Sequence, residues 1–229
     1  MGSNYLTVTY DLVRTPKTDY PALLVKFLSE KFGLQIGSTL LEVGCGRGDF
    51  LKAFANAGFD CFGVDREESA IELSEKLNIK TCDISKDSLP FEDNSLDIVF
   101  HKSLIEHLYV PDNLMRETFR VLKKGGKVVI LTPDWVSQMR NFYEDITHCR
   151  PYDRRALRDA LAIFGFENII TEKFYQLPVI WKHKWVTIFS KILQLFLNSH
   201  SARFITEKTR IKFFRWSVEL MILGFGAKP

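Results

Sequence analysis

The chain has 229 residues, of which 46% are hydrophobic and 26% are charged, and its formal net charge is +3. This length suits one substantial core with small additions, and the composition excludes general disorder and a multi-span membrane protein. The first residues lack a basic segment followed by an apolar run, so no secretory signal is predicted and a cytoplasmic location is expected.

Strands and helices are predicted to alternate through most of the chain. An amphipathic helix is expected from about Pro21 to Phe32, because proline suits a first helical turn and Gly33 is a stop signal. The predicted strands are Thr39–Val43, Asp60–Asp65, Ile79–Cys82, Leu96–His101 and Lys127–Thr132. The predicted helices after them lie near Asp49–Ala57, Glu67–Leu77, Asp112–Leu122 and Asp153–Phe164. This order predicts an α/β fold with a doubly wound, mostly parallel sheet.

The pattern changes after Gly165. Phe166–Tyr175 and Val218–Gly226 are predicted to add an antiparallel pair of strands at the sheet edge, which makes seven strands. About forty residues separate them, far more than a hairpin loop needs. The expected organisation is a helical cap (1–37), a core (38–175), a basic aromatic helical insertion (176–217) and a final edge strand (218–229).

A glycine-rich turn follows the first predicted strand in Glu42-Val43-Gly44-Cys45-Gly46-Arg47-Gly48. Such a turn lets a ligand approach the backbone at the start of a helix. The dinucleotide fingerprint GxGxxG needs a third glycine at the position of Asp49, whose charge would also face a pyrophosphate. Together with the lack of a Tyr-x-x-x-Lys motif, this makes a nicotinamide-dependent oxidoreductase the weaker alternative.

Two acidic residues end the next predicted strands. Asp65 can accept hydrogen bonds from both hydroxyls of a ribose, and Asp83 can face an adenine amino group. Each could instead cap the next helix, and Gly44 to Gly48 could be only a tight turn between strand and helix. Their shared position at the carboxyl ends of strands, where this fold binds ligands, favours the site.

Together these motifs resemble the class I S-adenosylmethionine (SAM)-dependent methyltransferases, particularly the broad branch that is similar to ubiquinone-biosynthesis O-methyltransferases. The resemblance runs from about Thr39 to Tyr175 and implies SAM as cofactor and S-adenosylhomocysteine as product. It places the methionine part of SAM at the glycine turn, the ribose at Asp65 and the adenine at Asp83. The residues predicted to bind SAM are Glu42, Gly44, Gly46, Gly48, Asp65, Arg66, Asp83, Ile84 and His101.

Methyl transfer to a hydroxyl needs alignment and a group that accepts a proton. His107, after the fourth strand, stands where relatives often carry a base, and His148 is a second candidate base or substrate contact. The structural alternatives are packing or capping for His107 and an orienting hydrogen bond for His148. Predicted substrate contacts are Asp145, Arg150 and Tyr152, with a salt bridge from Arg150 to Asp145 or Asp153 as the alternative.

The acceptor class is reached by elimination. Some ubiquinone-type relatives bind a divalent metal through Glu-x-x-Glu-His, but Ser103 replaces the first carboxylate here, so no metal is expected. The sequence also lacks the Asn/Asp-Pro-Pro-aromatic turn of amino-methylating DNA enzymes, and no nucleic-acid partner is expected. A hydroxyl on a small-molecule, sugar or lipid-linked acceptor is favoured. A catalytically silent SAM-binding scaffold is the second alternative, and the oligomeric state is left open.

The predicted insertion is basic and aromatic, with nine Lys or Arg and one acid between Lys173 and Ser217. Helical spacing puts five apolar residues on one face: Trp185, Ile188, Phe189, Ile192 and Phe196. Basic residues beside aromatics suit an anionic membrane surface. A helical lid over the active site, whose apolar face is buried and whose lysines are solvated, is nevertheless the favoured interpretation. Pro178 and several Lys or His residues in 177–197 argue against a membrane span.

The four cysteines are Cys45, Cys61, Cys82 and Cys149. They form no CxxC pair and show no metal-ligand spacing, so reduced and packed thiols are expected.

Overall fold

The computed structural model describes residues 16–70 and 77–229. Its strands are β1 (Thr39–Val43), β2 (Asp60–Asp65), β3 (Asn78–Thr81), β4 (Leu96–Lys102), β5 (Leu122–Pro133), β6 (Glu167–Phe174) and β7 (Met221–Ala227). Its longer helices are α1 (Tyr20–Phe32), α2 (Asp49–Asn56), α3 (Asp112–Val121), α4 (Trp135–Gln138) and α5 (Arg154–Ile163). Between β6 and β7 lie α6 (Pro178–Lys182), α7 (Val186–Phe196), α8 (Ser199–Thr209) and α9 (Lys212–Val218).

The seven strands form one sheet in the order β3-β2-β1-β4-β5-β7-β6. β1 pairs in parallel with β2 and β4, and β2 pairs in parallel with β3. The doubly wound, mostly parallel α/β fold predicted from the sequence is therefore confirmed. The predicted helix Glu67–Leu77 lies largely outside the described residues, as does the start of the predicted cap.

The described residues form two compact units. The first contains 16–70, 77–102, 110–129 and 227–229, and the second contains 103–109 and 130–226. In the first unit, Leu40, Leu41 and Val43 of β1 are fully buried. In a doubly wound sheet the helices cover both faces of a central parallel strand, which is therefore apolar on both.

Local signals in the first unit account for both ends of α1 and for the start of β5. Proline lies in the first turn of α1, and Gly33 ends the helix in a left-handed conformation with φ of 57°. β5 starts at Leu122, earlier than predicted, because Gly125 and Gly126 exchange backbone hydrogen bonds with Lys228.

In the second unit the final strand differs from the prediction. β7 lies between β5 and β6, so the expected final edge strand is wrong and β6 is at the edge. The burial pattern agrees, because Met221–Gly226 are buried whereas most of β6 is partly or fully exposed. The strand also starts later than Val218, since the amide of Glu219 bonds to the carbonyl of Arg215 and α9 extends through Val218.

The cysteines are free thiols, as predicted, and Cys45, Cys61 and Cys82 are buried. No helix in the described ranges has the length and apolar character needed to cross a bilayer.

Candidate functional site

The glycine turn of the first unit has the backbone conformation that its sequence predicted. Gly44, Gly46 and Gly48 have φ of 72°, 50° and 76°, which an L side chain rarely adopts. Gly48 is the N-cap of α2, where no side chain caps the helix. Within the first turn the amide of Leu51 bonds to Glu42, and a helix N-terminus of this kind can also bind a polar ligand group.

Glu42 at the end of β1 is 3% exposed, and its Oε2 has no hydrogen-bond partner among the described residues. Burial raises the pKa of this carboxyl well above its ordinary value, although a backbone hydrogen bond from Leu51 and the charge of Lys102 oppose the shift. Buried polar atoms in native proteins normally have a partner. A ligand that donates to Glu42 would satisfy this oxygen.

Asp65 at the end of β2 connects that strand to the glycine turn. Its Oδ2 accepts a hydrogen bond of 2.7 Å from the amide of Gly46, and its Oδ1 accepts one of 3.0 Å from the amide of Glu67. A carboxylate has about four lone-pair sites, so two backbone bonds leave capacity for ribose hydroxyls. The neighbouring Arg66 lies 3.3 Å from the carboxylate of Glu67 and is more than half exposed.

Asp83 makes the contacts of a turn cap. Its Oδ1 accepts hydrogen bonds from the hydroxyl and the amide of Ser85, at 2.6 and 3.1 Å, and these bonds together with Lys86 lower its pKa. Ile84 is buried, and its carbonyl accepts a bond from Asn113. Asp83 thus caps a turn and not the helix considered from the sequence, and its contact with adenine stays a prediction.

His101 lies within β4 and is fully buried. Neither ring nitrogen has a hydrogen-bond partner in the part of the chain that the structure describes. Burial lowers its pKa to about 3, so the imidazole is neutral at physiological pH.

Asp49 is paired differently from what its position suggested. Its carboxylate lies 2.5 Å from the guanidinium of Arg47 within the same turn. The charge of Arg47 offsets that of Asp49, so Asp49 repels a pyrophosphate less than its position in the sequence indicated.

In the second unit, a chain of hydrogen bonds leads from Asp145 to His107. Thr147 Oγ1 lies 2.6 Å from Asp145 Oδ1 and 2.9 Å from His107 Nδ1. Partial burial raises the pKa of Asp145. The bonds from Thr147 and the nearby His148 and His107 outweigh this effect and hold the pKa below its ordinary value. An ionised carboxylate only accepts, so the Thr147 hydroxyl donates to Asp145 and its oxygen accepts from His107 Nδ1. Neutral His107 then carries its lone pair on Nε2.

His148 packs beside His107, with 4.7 Å between the ring centroids. Its Nδ1 lies 2.7 Å from the carbonyl oxygen of Phe142, which can only accept, so Nδ1 carries the proton. The orienting hydrogen bond considered from the sequence is therefore present. His148 Nε2 lies 4.0 Å from Asp145 Oδ2.

Glu106 completes this group of side chains. It is fully buried, and its Oε2 accepts a hydrogen bond of 2.9 Å from the hydroxyl of Thr132. Glu106, His107 and His148 each offer one atom that could bind a metal, and the three atoms lie within 4.8 Å of one another. Two imidazoles and a carboxylate fit zinc or iron better than magnesium or calcium. The replacement of a carboxylate by Ser103 thus leaves a different donor set, and the expected absence of a metal stays a prediction.

The predicted substrate contacts occupy different environments. Asp145 holds Thr147, as described above. Arg150 donates to the carbonyl of Tyr109 over 3.1 Å. Tyr152 is 3% exposed and its carbonyl accepts from the amide of Trp135, which makes it part of the packing beside α4.

Thr147 and Thr132 were not singled out from the sequence. The Asp-x-Thr spacing of 145–147 was the available signal, since Asp side chains bond to backbone amides two residues on, as Asp145 does with Thr147. Thr132 contacts Glu106 across 26 positions of sequence, and no local pattern indicates such a pair.

Comparison with known proteins gives consistent results. A protein-family description, methyltransferase domain, matches residues 17–171. A ubiquinone biosynthesis O-methyltransferase from Pseudomonas fluorescens is 31% identical over 124 residues, which are 51% of this chain and 53% of that protein. Phosphoethanolamine N-methyltransferase 3 from Arabidopsis thaliana is 31% identical over 158 residues, which are 61% of this chain and 31% of that protein.

Solved structures agree on the fold. A chain from the complex between the Haloferax volcanii Trm112 methyltransferase activator and a methyltransferase superposes with a TM-score of 0.70 at 17% identity, covering 100% of both chains. The chain spans 64%, 53% and 46% of the lengths of three curated relatives that it matches.

Proposed function

Because the chain belongs to the class I SAM-dependent methyltransferase family, we propose that it transfers the methyl group of SAM to a hydroxyl of a small-molecule, sugar or lipid-linked acceptor. His107 is the general base in this proposal. The hydrogen-bonded environment of His107 is the observation that supports a hydroxyl as the methyl acceptor.

The first unit supplies the residues for the methyl donor. Glu42 and the glycine turn hold the methionine part, where the open Oε2 of Glu42 accepts from the amino group. An ammonium beside a buried carboxyl favours its ionised form, so Glu42 loses a proton when the donor binds. Asp65 binds the ribose, and Asp83 with Ile84 flanks the adenine. His101 and Arg66 complete the proposed donor site.

His107 has the arrangement that a general base needs. The hydrogen bonds from Asp145 through Thr147 fix the tautomer and the ring orientation, which leaves Nε2 to accept. As Nε2 takes the hydroxyl proton, the acceptor oxygen bonds to the methyl carbon and the carbon–sulfur bond breaks. The positive charge that forms on His107 is stabilised by Asp145 through Thr147.

His148 is the second candidate, and the distances favour His107. A hydroxyl at hydrogen-bond length joins His107 to the carboxylate chain, whereas His148 Nε2 lies 4.0 Å from Asp145 Oδ2. The two rings are adjacent, so His148 packs against His107 and helps to orient it. Arg150, Tyr152 and Asp145 shape the proposed acceptor side.

The experiment uses SAM labelled in its methyl group, incubated with the protein and a metabolite extract. An ether-linked methyl group is released as volatile methyl iodide by hydriodic acid under conditions that leave N-methyl groups in place. We expect volatile label, and we expect His107→Ala to lower its formation by roughly 10²- to 10⁴-fold while SAM affinity changes little.

His148→Ala is the matched control and should lower turnover less. Label that stays on nitrogen would overturn the hydroxyl proposal, and unchanged turnover in His107→Ala would remove the base. SAM binding without transfer to any acceptor would favour the silent scaffold.

A further inference from the structure

The insertion exposes an apolar helix face. We define the α7 apolar face as six large side chains that are each 46% to 80% exposed: Trp185, Ile188, Phe189, Ile192, Leu195 and Phe196. Three are aromatic, and an aromatic side chain has about 150–250 Å² of surface, so the aromatics alone expose roughly 400 Å². That reaches the size of the largest apolar patch on a typical monomer, about 300–600 Å².

The opposite side of α7 faces inward and is partly polar. Val186 and Ser190 are buried, and Ser190 Oγ lies 2.8 Å from the hydroxyl of Ser217 in α9. Gln194 also donates to the carbonyl of Ser217 over 2.7 Å. At about 100° per residue, the six exposed side chains fall within an arc of roughly 120° opposite Ser190. The helix is therefore held in place by its inner side while its apolar side faces solvent, which contradicts a lid whose apolar face is buried.

Cations border the α7 apolar face. Lys191 falls beside the arc on the helix, and Lys182 and Lys184 come just before the helix. All three are exposed, and none is in an ion pair with an acid of the described residues. Two other bases of the insertion, Arg203 and Arg215, are instead paired with Glu219. The three lysines beside the apolar face can therefore interact with an outside partner.

We propose that the α7 apolar face docks on an anionic lipid bilayer. Exposed aromatics and aliphatics with lysines along one side are the pattern of a helix that lies in the headgroup region. The lysine stems can follow the apolar face while their ammonium groups reach lipid phosphates. At 11 residues the helix is about 16 Å long, which suits lying along a membrane surface.

Charge complementarity separates this occupant from a second copy of the chain. A two-fold pairing of the α7 apolar face would place the same lysines of both copies around one contact. Like charges brought together in this way cost free energy, whereas an anionic lipid surface neutralises them.

The experiment measures co-sedimentation of the purified chain with phosphatidylcholine vesicles and with vesicles of 70% phosphatidylcholine and 30% phosphatidylglycerol. We expect binding to the anionic vesicles that weakens as salt is added, and weak binding to the neutral ones. Methyl transfer plays no part in this measurement, so its outcome is independent of the proposed function.

The apolar arm replaces Trp185, Phe189 and Phe196 with serine and should weaken binding at least about tenfold. Its matched control replaces three exposed isoleucines elsewhere with serine, Ile36, Ile163 and Ile170, and should bind like the wild type. All of these positions are exposed, and unaltered thermal unfolding confirms that each variant is folded.

The charge arm replaces Lys182, Lys184 and Lys191 with glutamine. A lysine near an anionic surface contributes about fivefold to binding, so the triple variant should lose roughly 100-fold. Arg154→Gln, Arg155→Gln and Arg158→Gln remove three exposed charges from α5 and should leave binding unchanged.

Three results would overturn the proposal. These are equal binding to neutral and anionic vesicles, unchanged binding in the apolar variant, and absence of vesicle binding. The chain could instead self-associate in sedimentation velocity without binding vesicles. If the apolar variant abolishes that self-association, the α7 apolar face binds a second copy of the chain.

Discussion

The buried carboxyl of Glu42 predicts that the Glu42→Gln variant is more stable than the wild type at neutral pH and binds SAM less well. Glutamine has the shape of the protonated acid and can keep the bond from the Leu51 amide. It carries no charge that the fold must hold out of water. Stability and function therefore conflict at this position.

The size of the effect follows from proton binding. Burial raises the pKa of Glu42 in the native state, while the unfolded chain releases the proton near pH 4.5. In the window above 4.5 the native state keeps a proton that the unfolded state loses, so wild-type stability falls as pH rises, by about 1.4 kcal/mol for each pH unit. Glutamine removes this loss.

The assay is urea unfolding of both proteins between pH 4.5 and 7.5. We expect the two free energies of unfolding to be similar at pH 4.5 and to diverge in favour of Glu42→Gln as pH rises. Isothermal titration with SAM should show weaker binding by the variant. For the wild type, SAM affinity should rise with pH, because binding releases the Glu42 proton.

Leu51→Ala, which also removes buried contacts of this region, is the matched control and should shift stability equally at each pH. A stability difference between the wild type and Glu42→Gln that does not change with pH would refute the reasoning. It would mean that the native carboxyl titrates as it does in the unfolded chain.

Three further predictions concern His101, the bonds to His107 and metal dependence. The pKa of His101 is lowered to about 3, so below pH 6.5 the unfolded state binds a proton that the native state does not bind. Wild-type stability should therefore fall as pH is lowered through this window, and urea unfolding of His101→Leu should show a smaller fall. An unchanged pH dependence of stability in His101→Leu would exclude this role of His101. Thr147→Val should lower turnover about tenfold without changing SAM affinity, and it should abolish the Nδ1–H signal of His107 in ¹⁵N spectra. Adding Asp145→Asn should lower turnover little further. If the two losses of turnover are fully additive, a shared chain of hydrogen bonds is contradicted. Dialysis against a chelator should leave turnover unchanged, because in our proposal His107 Nε2 is the base. Loss of turnover that zinc restores would assign Glu106, His107 and His148 to a metal instead.

The backbone of the proposed donor site was largely predictable because its signals are local. β1 and β2 have the bounds that their sequence indicated, since each is a short apolar run that ends at a turn. The glycines of the turn have the positive φ values that favour glycine. Asp49 was the exception, because its pairing with Arg47 depends on side-chain conformations that residue spacing does not fix.

The second unit was less predictable because its contacts are distant in sequence. Periodicity grouped Trp185, Ile188 and Phe189 on one helix face, but it does not say whether a face points to the core or to solvent. The inner contact between Ser190 and Ser217 decided that question. An apolar run likewise predicts a strand such as β7 without giving its place in the sheet, which depends on pairing with β5 and β6.

Calorimetric titration of SAM into the wild type and Asp65→Ala tests the central claim most directly, with NAD as the comparison ligand. We predict saturable SAM binding by the wild type, no detectable binding of NAD, and a loss of about tenfold or more in SAM affinity for Asp65→Ala, since this variant lacks the carboxylate that we propose to bond the ribose. Binding of NAD in place of SAM, or SAM affinity that Asp65→Ala leaves unchanged, would contradict the account.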